Sequence, residues 1–94
     1  MKWTRKTNEF EYQPYVSEDG RFAIGDIDDQ NMIPEYTELK KHNWDNEKTH
    51  NEYMKYCKEN KIRINGANWV LIDNEKVIGI YKTAKQAKAV AEEI

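Results

Sequence analysis

The feature that most constrains this chain is how briefly it stays apolar. Its longest unbroken apolar run, Trp69-Val70-Leu71-Ile72, has four residues. A bilayer-spanning helix needs about twenty, so no membrane partner is expected. Burial must therefore come from alternating strands and helical stripes. At 94 residues the chain has length for one core, and residues 1–94 read as a single domain. Ile, Leu, Val and Phe total 17 residues, a share low enough to raise disorder. However, 15 basic and 17 acidic residues nearly cancel, and three Trp, six Tyr and two Phe supply large apolar faces. An ordered domain with a charged surface is expected.

Strand patterning appears at both ends. Phe10 and Tyr12 alternate with Glu9, Glu11 and Gln13. After Ser17-Glu18-Asp19-Gly20 the alternation resumes at Phe22, Ile24 and Ile27, which predicts a β-hairpin. Pro14 has no amide donor, so the first strand belongs at a sheet edge. Trp3 either extends the sheet or caps its core. Further on, Ile62 and Ile64 alternate with Lys61 and Arg63, Asn65-Gly66 signals a turn, and Trp69–Ile72 reads as a buried strand. After Asp73-Asn74-Glu75-Lys76, the segment Val77–Tyr81 completes a second hairpin.

Helical signals fill the rest. Pro34 suits the first turn of a short helix through Lys41, and Asp45 is the expected N-cap of a longer one ending near Asn60. The apolar seam of the longer helix would be Tyr53, Met54, Tyr56 and Cys57. Thr83 and Gln86 form a capping box for a last helix, with Ala84, Ala87, Val90, Ala91 and Ile94 as its buried stripe. The fold expected is α+β: two hairpins in one antiparallel sheet, covered on one face by the middle helix and the C-terminal helix.

Residues 69–91 carry a resemblance. Trp69-Val70-Leu71-Ile72-Asp73, Ile78-Gly79-Ile80-Tyr81-Lys82-Thr83, and then Lys85, Ala87, Lys88 and Ala91 resemble the ends of small phage and prophage proteins. Val16–Phe22 looks like the first hairpin of that group, while residues 28–67 stay unmatched. The same strand–turn–strand–capped-helix ending is similar to the Arm-type DNA-binding domain of integrases. That resemblance implies a three-stranded sheet packed on one helix and inserted into a DNA groove. The strands offer Arg21, Arg63, Lys76 and Lys82 beside Glu9, Glu11, Glu18 and Asp73. A sheet that neutralises phosphates needs a basic excess, so DNA binding is the second reading.

Catalytic and metal chemistry find little footing. On a helix, His50 and Cys57 would stand about 10 Å apart, too far to share one ion or form a dyad, so neither metal nor cofactor is expected. Asp26–Asn31 begins like a calcium loop, but Asn31 stands where glycine is required and Thr37 where glutamate is required. Ser17 is the sole serine, and no nucleophile elbow or phosphate-binding glycine loop occurs. A non-enzymatic role is expected. Lone Cys57 and the lack of an apolar leader after Lys2 agree with a cytoplasmic location.

Charge distribution suggests where a partner binds. Residues 18–47 carry nine acids against Arg21, Lys40 and Lys41, whereas residues 48–63 carry five bases against Glu52 and Glu59. Complementary patches steer protein association. The candidate partner surface is therefore acidic: Glu18, Asp19, Asp26, Asp28, Asp29 and Glu35. A candidate anion site is Lys82, Thr83, Lys85 and Lys88, where lysines crowd a helix start against the dipole. The function expected is a non-catalytic phage or mobile-element accessory protein. It would bind a host or phage protein and inhibit a host defence or nucleic-acid enzyme.

Overall fold

A computed structural model describes residues 2–5, 15–29 and 32–94. Its elements are β1 (Trp3–Arg5), β2 (Tyr15–Ser17), β3 (Phe22–Asp26), α1 (Pro34–His42), α2 (Glu47–Glu59), β4 (Trp69–Asp73), β5 (Lys76–Tyr81) and α3 (Ala84–Glu93). The strands form one antiparallel sheet in the order β1-β2-β3-β4-β5. Each strand thus lies beside its chain neighbour, and the α1–α2 pair is inserted between β3 and β4. The predicted α+β class is the observed one. The strand expected over Phe10 and Tyr12, and the edge role given to Pro14, fall outside the described residues. Trp3 both extends the sheet, opposite Ser17, and packs against Phe22 with ring centroids 6.4 Å apart.

The two hairpin turns follow their local chemistry. Gly20 adopts φ +76°, a conformation glycine takes without penalty. Ser17, buried in the same turn, accepts a hydrogen bond from the Phe22 amide at 2.9 Å and donates to Asp19 at 2.6 Å. In the second hairpin Asn74 and Glu75 both have positive φ, 47° and 71°, as a two-residue turn matched to the strand twist requires. Arg21 clamps the two hairpins together with a bidentate pair to Asp73, at 2.9 and 3.0 Å.

The sheet is covered on both faces, which departs from the single covered face expected. Leu71 packs with Phe22, Ile24, Ala87 and Ala91 beneath α3. Its neighbours Val70 and Ile72 pack instead with Ile27, Tyr36, Tyr53, Cys57 and Ile62 beneath α1 and α2. Successive strand side chains point to opposite faces, so a run apolar at every position serves two cores. Each fully buried Leu or Val contributes about 1.5–3 kcal/mol. Ala87 and Ala91, completely buried, let α3 lie close to the sheet.

Four local expectations need correction, one being Ile94, placed in the buried stripe of α3 but exposed just beyond its last residue. The N-cap of α2 is Asn46, not Asp45: the Asn46 Oδ1 accepts from the Thr49 amide at 2.9 Å, and the Thr49 hydroxyl accepts from the Asn46 amide at 3.2 Å. Met54 leaves the buried seam, which runs through Tyr53 and Cys57, one helical turn apart, with Tyr56 half-buried. Residues 61–68 form no strand. There Asn68 stands in for a strand neighbour, its side chain accepting from the Arg63 amide and donating to the Arg63 carbonyl, both at 2.9 Å. Ile62 turns into the core and Ile64 into solvent.

Helix α2 ends in a Schellman motif. The Ile62 amide donates to the Cys57 carbonyl at 2.8 Å and the Lys61 amide to the Lys58 carbonyl at 3.4 Å. The motif demands a left-handed residue, usually glycine, and here it is Lys61 at φ +57°. Ile62 is drawn down beside Cys57, completing the apolar contact that accompanies this cap.

Candidate functional site

The six acidic candidates fall into two groups along the chain. Glu18 and Asp19 occupy the turn before β3, while Asp26, Asp28, Asp29 and Glu35 lie at and beyond its other end. A strand from residue 22 to 26 separates the groups by about 13 Å at 3.3 Å per residue. Several of these carboxylates are also engaged internally. Hydrogen bonds from the Ser17 hydroxyl and the Arg21 amide hold the Asp19 carboxyl below its usual range. Asp26 accepts from the Asp28 amide at 2.8 Å, Asp28 pairs with Lys40, and Asp29 is buried.

The lysine cluster also divides. Thr83 caps α3 by accepting from the Gln86 amide at 3.1 Å, and the Gln86 side chain accepts from the Lys82 amide at 3.1 Å. Lys88 leans back over the sheet, its ammonium 3.9 Å from the Tyr15 ring centroid. Lys82 and Lys85 stay exposed at the helix start. Of the four residues, Thr83 and Lys88 are thus engaged within the fold.

Cys57 is a core residue. Burial raises its thiol pKa, the opposite of what activates a nucleophile. Burial likewise raises the hydroxyls of Tyr36, Tyr53 and Tyr56, and the Tyr36 and Tyr53 oxygens stand 3.4 Å apart. His42 lies 2.9 Å from Asp45 and 3.6 Å from Glu38, while His50 stacks under Trp44 at 5.5 Å between centroids. Among the described residues, no three His, Cys, Asp or Glu side chains are grouped to hold a metal ion. No described helix is long and apolar enough to cross a membrane.

Exposed apolar side chains include Met54, Ile64 and Ile94, and two more lie side by side on one edge of the sheet. Strand β5 has β4 on one side and no described strand on the other. A β-bulge opposite Leu71 and Ile72 gives β5 an extra residue, Ile78. Val77 and Ile78 remain 49% and 41% exposed. A groove of about 430 Å³ runs along this edge, walled by Asn60 and Lys61 on one side and by residues 77–81 on the other. Gly79 lets the Tyr81 side chain fold back across the strand: a Cβ at Gly79 would meet the Tyr81 hydroxyl at 2.7 Å. The sequence marked Val77–Tyr81 as a strand but not as an edge, because strand order is a tertiary property. Trp44, 84% exposed in the α1–α2 turn, is a second apolar projection the sequence pattern did not single out.

Comparison with family models, with curated proteins and with solved structures returned no match to this chain.

Proposed function

We propose that this chain is a non-catalytic protein-binding module that engages its partner through the β5 edge. The observation that carries the reading is an edge of β5 with no described strand beside it, with Val77 and Ile78 half in solvent beside a groove of about 430 Å³. Open edges recruit extended segments by strand addition, where backbone hydrogen bonds give affinity and side-chain pockets give selectivity. The phage or mobile-element setting rests on the resemblance of residues 69–91. Inhibition of a host defence or nucleic-acid enzyme is the form such binding would take there.

The DNA-reading alternative needs the sheet face opposite α3 to be free. Val70 and Ile72 on that face lie under α1 and α2, which weighs against it. A version in which the acidic residues imitate a phosphate backbone is likewise disfavoured by the separation of Glu18 and Asp19 from Asp26, Asp28, Asp29 and Glu35.

Capture of partners from nuclease-treated host lysate on the full chain tests the proposal. One stoichiometric protein should be recovered, and Ile78→Lys should release it without changing Tm. Recovery that nuclease abolishes, or that Val77→Lys and Ile78→Lys both leave intact, overturns it.

A further inference from the structure

Asn65 and Gly66 form the tip of the loop that joins α2 to β4, and that loop is tied below them. The Asn68 side chain holds both backbone groups of Arg63, and the Arg63 side chain donates to the Ala67 carbonyl. The Arg63 guanidinium lies against Gly66, where an added Cβ would meet it at 3.2 Å, and Gly66 itself holds φ +129°. The fold therefore needs glycine at 66. It makes no comparable use of Asn65, which is exposed and whose side chain hydrogen-bonds to no described residue. Among the described residues, none accepts from the Gly66 amide either.

That combination sets Asn65 apart from the other described asparagines. Asn43 and Asn68 are buried and hydrogen-bonded, Asn46 caps α2, and Asn60 donates to the Tyr56 carbonyl at 2.8 Å. Asn51 lies inside α2, where the next amide belongs to the helix ladder, and Asn74 is followed by the side chain of Glu75. Among the described residues, only at Asn65 does an unbonded amide with no side chain to shield it follow an unbonded carboxamide.

We propose that Asn65 is a site of spontaneous deamidation in the folded protein, with water as the sole co-reactant. The Gly66 amide gives its proton to solvent base, and its nitrogen attacks the Asn65 Cγ to form an N–Cγ bond. The Cγ–Nδ2 bond then breaks, and that nitrogen leaves as ammonia with a proton taken from water. Water next opens the cyclic imide at either carbonyl. Attack at Cγ yields aspartate; attack at the main-chain carbonyl yields isoaspartate, with the chain rerouted through the former side chain. No electrons change hands. Either product adds a negative charge beside the Arg63–Gly66 contact, and isoaspartate also lengthens the backbone inside the loop that Asn68 closes.

The test holds the full chain in native buffer at mildly alkaline pH and follows deamidation by peptide mapping. Asn65, Asn68 and Asn74 share the tryptic peptide 64–76, so fragmentation assigns the site, and Asn65→Asp supplies the standard for the aspartate product. Asn65 should be lost at least about tenfold faster than any other described asparagine, a barrier difference of about 1.4 kcal/mol. The products should be a mixture of aspartate and isoaspartate, released with ammonia and formed faster as pH rises. Asn65→Gln, which must close a larger ring, should suppress the reaction while leaving Tm unchanged. An Asn65 that stays intact, loss spread evenly over the asparagines, or loss at Asn65 that appears only in urea overturns the proposal, the last because the native loop then blocks the reaction.

Discussion

The Lys88 ammonium lies 3.9 Å from the centroid of the Tyr15 ring, joining α3 to strand β2, an element outside its main packing contacts. A cation over an aromatic face at a partly exposed site contributes about 0.5–1 kcal/mol. A double-mutant cycle with Lys88→Met and Tyr15→Leu, read by urea denaturation, should return a coupling of about that size. Zero coupling would show that the contact adds nothing to stability.

Asn68 offers a larger effect. Its amide satisfies both backbone groups of Arg63 and is itself buried. Asn68→Ala removes both partners at once and should destabilise the fold by about 1–3 kcal/mol. Asn68→Asp keeps an acceptor but buries a carboxylate against the Arg63 carbonyl, so it should destabilise at least as much as alanine. Denaturation midpoints of the three proteins decide the order.

Two left-handed residues predict gains instead of losses. Lys61→Gly and Glu75→Gly relieve backbone at φ +57° and +71°, and each should raise stability by up to about 1 kcal/mol. Urea denaturation midpoints of the two variants check this, and no gain at either position would show that the left-handed backbone carries no strain there.

Alkaline pH should unfold the protein through its buried phenols. The folded pKa values of Tyr36, Tyr53 and Tyr56 are raised above the ordinary value of 10.0 by burial. Their contribution is complete below that value and is lost as pH rises through the folded pKa values. Tyr53→Phe should flatten the decline in stability above about pH 10. An unchanged alkaline limb would assign the loss to other groups.

The acid limb runs the other way. The Arg21 guanidinium lowers the Asp73 pKa, and the Ser17 hydroxyl lowers that of Asp19. Both stabilise above the ordinary carboxyl value of 3.8 and lose that effect as pH falls through their depressed values. Asp73→Asn should make stability less steep below about pH 4, measured by thermal melts across that range.

What the sequence disclosed was what neighbouring residues decide. Asp19-Gly20, Asn74 and the Thr83–Gln86 pair each act over a few positions, so both turns and the last helix could be read directly. The covering of the sheet could not. Trp69–Ile72 is apolar at every position, and such a run does not reveal that Val70 and Leu71 face different layers. Ile64 misled for a related reason: alternation implies a strand only if a partner strand is present, and Asn68 had already taken the Arg63 backbone groups. The acidic surface was inferred from nearness along the chain, but β3 lies between its two halves. The β5 edge stayed hidden because nothing local distinguishes a border strand from an interior one.

The Ile27 amide donates to the Asn68 carbonyl at 3.0 Å. The inserted helices thus leave and re-enter the sheet through one doorway, where β3 and β4 already meet. Lengthening a path that starts and finishes at the same place adds little closure entropy, about 0.6 kcal/mol per doubling. The insert is consequently the part of the molecule freest to be rebuilt in descendants of this chain, provided something still shields Val70 and Ile72 and walls the β5 groove as Asn60 and Lys61 do. Its β5 border, on the far side of β4, would come through such rebuilding with its strand pairing unaltered.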